Sequence, residues 1–359
     1  MMMGGIVTSG REYRPPAKTL FRLFGWALTV PVLLAITGWE ILFVYCSNLP
    51  EGFRLPGAIG IGLVSIGIWV TGRSKTRSLL IHFIVFAALL FWFFSIPASN
   101  DRNWLPDLER LSWAEINGDA ITVHNIRNCD YRSETDFTTA YYDKRFDLSQ
   151  LNAVDVVAVY WMGPQIAHIF LSFGFTGGEQ LAVSIEARKE KGEGYSTVKG
   201  FFRQYELYYV VADERDVIRL RTNYRRDPPE DVYVYRAQAP IENARRLFLA
   251  YMEKINALKA RPEFYNSLTT NCTTNIWMNT HVNPDHIPFS WKILLSGYVP
   301  EYLYERGLLD NSVPFAELQR RSHVNARAQA ADAASDFSRR IRENDLTTVP
   351  AGKSGNRPN

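Results

Sequence analysis

Two hydrophobic patterns follow each other along the chain, and they change over near Pro97. Before it, apolar residues run almost unbroken in three stretches, Leu20–Cys46, Gly57–Gly72 and Leu79–Pro97. A bilayer core of about 30 Å takes about 20 apolar residues of helix. The first and third stretches meet that length, and the second reaches it when Phe53 to Pro56 are counted. Beyond Pro97 the segments AITVHNI, VDVVAVYWM, AHIFLSFGF, QLAVSIEA, YELYYVVA and DVYVYRAQ alternate, or are rich in Val, Ile, Tyr and Phe, as strands are. Helical spacing appears late. Pro240 opens PIENARRLFLAYMEKINALKARP, and further helices are predicted at NCTTNIWMN and FSWKILLSG.

These elements predict an α+β fold, an antiparallel sheet with packed helices, preceded by three transmembrane helices. The expected divisions are a tail over 1–19, a membrane anchor over 20–97 and a soluble domain over 98–320. The Ala-, Arg-, Asp- and Ser-rich remainder, 321–359, reads as a mostly disordered tail. GFTGGEQ reads as a hairpin turn, since strand pattern resumes directly after it.

Basic residues give the anchor a direction. Arg11, Arg14 and Lys18 precede the first apolar run, and Arg73, Lys75 and Arg77 separate the second from the third. The positive-inside rule puts both groups in the cytoplasm, and three crossings then leave the domain on the outer side of a bacterial inner membrane. Glu40 is expected near the outer surface, and His82 is the other polar exception within the runs.

The formal net charge is only +3, so charge gives no case for nucleic-acid binding. Cys46, Cys129 and Cys272 are too scattered for a disulfide framework or a CxxC metal site, and the six histidines form no zinc-type cluster. Neither a metal nor another cofactor is expected.

Cys272 lies in YNSLTTNCTTNIW, where Thr270 or Asn271 can cap the following helix. A sulfur in a first helical turn gains from the dipole and from free N–H groups, which predicts a lowered thiol pKa. His168 opens the strand HIFLSFGF, which turns at Gly177-Gly178 into LAVSIEARKE. In that second strand Leu181, Val183, Ile185 and Ala187 are expected to face the core, with Ser184, Glu186 and Arg188 on a polar face. A tight hairpin brings His168 near residue 186 or 187, and one slip of register makes Glu186 its cross-strand neighbour. Cys272 is therefore the candidate nucleophile, His168 the base and Glu186 the residue that orients it. His124, His281, His286 and His323 compete for the base. Arg127 and Asn128 are substrate-binding candidates in the polar segment HNIRNCDYRSE, as are Arg188, Tyr205 and Asn271; a strand end with structural hydrogen bonds is the alternative for the first two. RKEKGEGYSTVKGFFRQ reads as a solvated loop or as a membrane-facing flap, and a Cys129–Cys272 disulfide would silence the site.

A strand His followed about a hundred residues later by Asn-Cys at a helix start resembles the circularly permuted papain-like enzymes, in which His precedes Cys. The stretch from NDRNWLPDLERLSWAEINGDAITVHNIRNCDYRSETDF through AHIFLSFGF, SIEARKEKGE, FFRQYELYYVVADERDVI and NCTT resembles the Lnb-type periplasmic domain family, which includes lipoprotein N-acyltransferases. That resemblance implies thiol-dependent acyl transfer with Cys272 as nucleophile and His168 as base. It differs in one respect: the acyltransferase members carry membrane helices after the domain, and this chain carries its three before it. The expected partners are the lipid bilayer and a lipoprotein or phospholipid substrate. Cleavage of cell-wall peptides by the same dyad, or a non-catalytic envelope role in ligand binding, are the alternatives.

Overall fold

A computed structural model describes residues 17–343, with side chains from residue 27 onward. Arg11, Arg14 and most of the expected 1–19 tail lie outside the described residues, as do residues 344–359. The chain divides into two compact units, 1–97 and 98–359.

The first unit contains α1 (Ala17–Tyr45), α2 (Glu51–Thr71) and α3 (Lys75–Ser95). Each has a span long and apolar enough to cross a membrane. Gly57 of α2 lies so close to α1 that a Cβ there would meet Val44 at 3.0 Å, the close approach that small residues permit between membrane helices. Glu40, near the C-terminal end of α1, is fully buried and accepts a hydrogen bond from Ser65 Oγ of α2 at 3.3 Å.

In the second unit the strands are β1 (Trp113–Asn117), β2 (Ala120–Arg127), β3 (Asp130–Tyr131), β4 (Phe137–Thr138), β5 (Tyr141–Asp147), β6 (Leu151–Tyr160), β7 (Ala167–Phe175), β8 (Glu179–Arg188), β9 (Glu206–Ala212) and β10 (Asp231–Arg236). One large sheet runs β1-β2-β9-β8-β7-β6-β10, with β5 also paired to β2, while β3 and β4 form a separate small ribbon. All its pairings are antiparallel except the short β2–β9 contact. The helices are α4 (Glu214–Arg219), α5 (Ile241–Ala260), α6 (Cys272–Asn279), α7 (Trp291–Leu294), α8 (Val299–Glu305), α9 (Phe315–Ser322), α10 (Asn325–Ala330) and α11 (Phe337–Arg340).

The sheet is covered on both faces. Leu181, Val183, Ile185 and Ala187 pack into a core that also holds Leu247, Phe248 and Tyr251 of α5. Ala182 of the opposite face joins a second core with Tyr208, Ile218, Ala328, Phe337 and Ile341. The face expected to be polar is thus covered as well, and Ser184 and Arg188 lie within it with almost no exposure. A buried polar row needs internal partners, and its neighbours supply them.

The remainder expected to be disordered is ordered as far as Glu343. Its apolar residues Ala328, Phe337 and Ile341 fill the second core, and Arg342 donates to Glu214 and Asp155. Its polar composition hid this, because few apolar residues suffice when an arginine neutralises two buried carboxylates.

Candidate functional site

The loop before α6 fixes the sulfur. Asn271 is extended, and its Oδ1 accepts from the Thr274 N–H at 2.9 Å while Thr274 Oγ1 accepts from the Asn271 N–H at 2.9 Å, a reciprocal capping box. Asn271 Nδ2 also donates to the Ser267 carbonyl at 2.9 Å. Cys272 is therefore held as the first residue of the helix. Asn271 acts as a cap at this position.

The β7–β8 ladder begins at Phe175↔Glu179 beside the turn and ends at Leu171↔Val183. Gly177 and Gly178 in the turn have φ of 92° and 85°, the left-handed region that glycine adopts without strain. Past Leu171, β7 stays with β6 as far as Tyr160↔Ala167, and β8 stays with β9 as far as Arg188↔Glu206. The two strands part, and α6 packs on both. The backbone N–H groups of Ile169, Thr273 and Cys272 lie around the Cys272 sulfur and favour its charged form.

These donors do not make the resting sulfur a thiolate. Burial pushes the Cys272 thiol pKa up, and the nearby Glu186 carboxylate adds to the rise against the N–H bonds. The expected lowering is therefore reversed, since desolvation of the charged form outweighs a helix start.

The ring of His168 lies at the same opening. The hairpin register, continued past Leu171, sets Glu186 opposite His168, but the strands have parted and Ser184 fills the space between. His168 Nε2 lies 2.7 Å from Ser184 Oγ, Ser184 Oγ donates to Glu186 Oε1 at 2.8 Å, and Arg221 Nη2 donates to the same oxygen at 3.1 Å. Glu186 Oε1 is 3.7 Å from Nε2. An ionised carboxylate only accepts hydrogen bonds, so the Ser184 proton points to Glu186 and the Ser184 oxygen accepts from Nε2–H. The tautomer follows: Nδ1 carries the lone pair that a base needs.

Electrostatics keep that chain polarised. Burial works to raise the Glu186 carboxyl, but Arg221, with His168, Arg127 and Arg225, overrides it and holds the group well below the usual carboxylate range. Burial and the Arg221 charge lower the His168 pKa to about 3. Thiol and imidazole are both neutral at rest. Among the described residues no hydrogen bond joins the Cys272 sulfur to the His168 ring.

The other candidates are engaged elsewhere. Arg127 is buried and grips Asp216 at 2.7 Å from Nη2, with the Asp107 carbonyl on Nη1. Arg188 donates to the carbonyls of Leu108 and Glu109 and lies over the Trp104 ring. Tyr205 donates to the Gly194 carbonyl and accepts from the Ser196 N–H. Asn128 is half-buried, and its backbone N–H donates to the Ala140 carbonyl. His124 stacks on Trp113 and meets Asp143, His281 stacks on His286, and His323 meets Asp231. Cys46, Cys129 and Cys272 are all free thiols, and burial, ahead of the Asp216 charge, pushes that of Cys129 up to about 12.

A cavity of about 130 Å³ lies between α6 and the sheet, lined by residues next in sequence to His168 and Cys272 but by neither of those two themselves. Ile169 and Thr273 border it, together with Leu171, Leu247, Ile276 and Ile293. Sequence reasoning did not single out this cavity or Arg221, and it listed Ser184 only as a position on the polar face. Arg221 sits in a π-helical turn, Leu220–Tyr224, a local irregularity that often accompanies functional residues. The one available signal was the alternation of Ser184 with Glu186, which puts both on the face that carries His168.

Fold and site together define a mixed α/β domain in which the strand carrying a polarised histidine packs against the helix that begins with a cysteine. Residues 137–297, a little under half of the chain, match the family model of the Lnb N-terminal periplasmic domain. The matched span contains His168, Ser184, Glu186, Arg221 and Cys272. No curated protein and no solved structure matches the chain.

Proposed function

We propose that this protein is a membrane-anchored, thiol-dependent acyltransferase of the bacterial inner membrane, with its N-terminus cytoplasmic and the domain periplasmic. The observation that carries the reading is the juxtaposition at the β7–β8 gap: a sulfur among backbone N–H groups, a histidine tautomer with Nδ1 as its acceptor nitrogen, and an apolar cavity bordered by Ile169 and Thr273. The order of His168 on a strand before Cys272 at a helix start supports a circularly permuted papain-like domain.

Donor binding brings Nδ1 and the thiol together, as catalytic hydrogen bonds often tighten only in the substrate complex. Nδ1 takes the thiol proton as the sulfur attacks the ester carbonyl of a phospholipid or lipoprotein donor. Backbone N–H groups of the first turn of α6 face the developing oxyanion. The imidazolium is steadied through Ser184 by Glu186 and returns its proton to the departing alkoxide, leaving an acyl-thioester on Cys272. An amine acceptor then attacks the thioester and restores the thiol. The apolar cavity suits a hydrocarbon chain and favours this reading over peptide cleavage.

The test is mass spectrometry of the full-length protein after incubation with phospholipid vesicles. An acyl mass on the peptide containing Cys272, absent from Cys272→Ser, is expected. Peptide release from cell-wall fragments without any adduct would assign the site to amidase chemistry, and ligand retention without turnover would leave only a binding role.

A further inference from the structure

The described surface of residues 98–343 has its large exposed apolar side chains in one neighbourhood. They fall at 162, 195–201, 268 and 278–295, and nowhere else. Phe289 and Trp291 are each more than half exposed, at 56% and 55%. Separate chain segments bring these positions together. The Ser267 hydroxyl donates to the Thr197 carbonyl at 2.7 Å, which ties the 195–201 loop to the loop carrying Leu268. The Gly297 N–H donates to the Gln165 carbonyl at 3.0 Å, which ties the turn carrying Met162 to the end of the 278–295 stretch. Trp277 packs on Phe289 with ring centroids 5.4 Å apart, and it also lines the cavity bordered by Ile169 and Thr273. The apolar residues thus surround the end of the sheet where β7 begins and α6 starts.

Apolar exposure confined to one rim of a domain marks an interaction surface. Here the chain itself indicates the partner. Two residues, Ile96 and Pro97, separate the end of α3 from the second unit, a reach of roughly 10 Å even when extended. Trp, Phe, Leu and Met on short turns are the side chains that enter the headgroup and upper acyl layer of a bilayer. We propose that the rim formed by Met162, Val198, Phe201, Leu268, Phe289 and Trp291 is a lipid-docking surface, seated in the outer leaflet. Acyl chains then pass from the bilayer to the cavity bordered by Ile169 and Thr273 without crossing water.

Spin labels on the full-length protein in phosphatidylethanolamine–phosphatidylglycerol nanodiscs test this. In a Cys272→Ser background, labels at Trp291→Cys and Phe201→Cys are expected to relax with dissolved oxygen and to resist a water-soluble nickel complex. Arg145→Cys is the aqueous control, because β5 meets the far end of the β7–β8 hairpin through the Lys144–Glu179 contact. Nickel accessibility at both rim positions equal to that of Arg145→Cys would overturn the proposal. Protection from both reagents would also overturn it, since a protein partner or second copy would then cover the rim. The labels report depth whether or not Cys272 reacts, so this result stands or falls apart from the acyl-transfer reading.

Discussion

Ser184→Ala removes the link between His168 and Glu186 while leaving both in place. The alanine takes away an acceptor for Nε2–H and a charge-assisted donor to Glu186, at 2.7 and 2.8 Å. Losing a hydrogen bond to a charged group costs about 1.5–3 kcal/mol. Partial repair is available: Glu186 Oε1 stands 3.7 Å from Nε2, so a shift of about 1 Å makes a direct bond. The net effect on thioester formation is therefore set at roughly 10- to 100-fold, about 1.4–2.8 kcal/mol in barrier. The repair also leaves a signature. A carboxylate in direct contact stabilises the imidazolium, so the ring, neutral down to about 3 in the native site, keeps its proton to higher pH. The acid limb of the acylation rate should move upward. Single-turnover acylation by an activated ester, followed across pH in full-length protein, measures both quantities. An unchanged rate and an unmoved acid limb in a folded variant would refute the relay.

Alkylation of Cys272 by iodoacetamide should be slow at neutral pH and keep rising beyond the range of an ordinary thiol, because burial raises its pKa; a plateau already reached at acidic pH would indicate a thiolate–imidazolium pair instead. Arg127→Met should destabilise the domain by about 3–5 kcal/mol, since it leaves Asp216 charged and buried; a lower melting temperature checks it, and a selective rise in KM with unchanged stability would restore a substrate-binding role. The lowered His168 pKa makes stability depend on acid. The unfolded ring binds its proton near pH 6.5 and the folded ring near 3, so this contribution is full above about pH 6.5 and is lost as pH falls toward about 3. Denaturant midpoints for the native protein and His168→Gln should converge on acidification through that window.

Much of the site could be read from residue type and spacing. His168 at a strand start, the Gly177-Gly178 turn and Cys272 after a capping asparagine each have a local cause. The link through Ser184 did not, because it depends on β7 and β8 parting, and that is set by where α6 lodges between them. Arg221 was invisible for a related reason. It reaches Glu186 from a π-helical turn, whose irregular spacing leaves no periodic trace. Arg127 was misleading in the opposite sense: a polar cluster near a strand end resembles a ligand site until Asp216, far along the chain, is brought against it. The second core was missed because its outer layer comes from alanine-rich segments whose apolar content, taken alone, is too low to suggest burial.

That outer layer bears on the order in which the domain can be made. Arg342 neutralises Asp155 of β6 and Glu214 of α4, and the first of these contacts spans 187 residues of sequence. During synthesis and export, β6 to β9 can assemble while that arginine is still within the ribosome or the translocation channel. Until it emerges, Asp155 is paired with Arg236 alone, and Glu214, which otherwise accepts from the Ser172 hydroxyl, waits for its counter-ion and must remain hydrated, so the second face of the sheet stays open. A chain interrupted shortly before residue 342 would therefore be expected to pair its strands yet remain a target for envelope proteases, which would remove unfinished copies before they collect in the membrane.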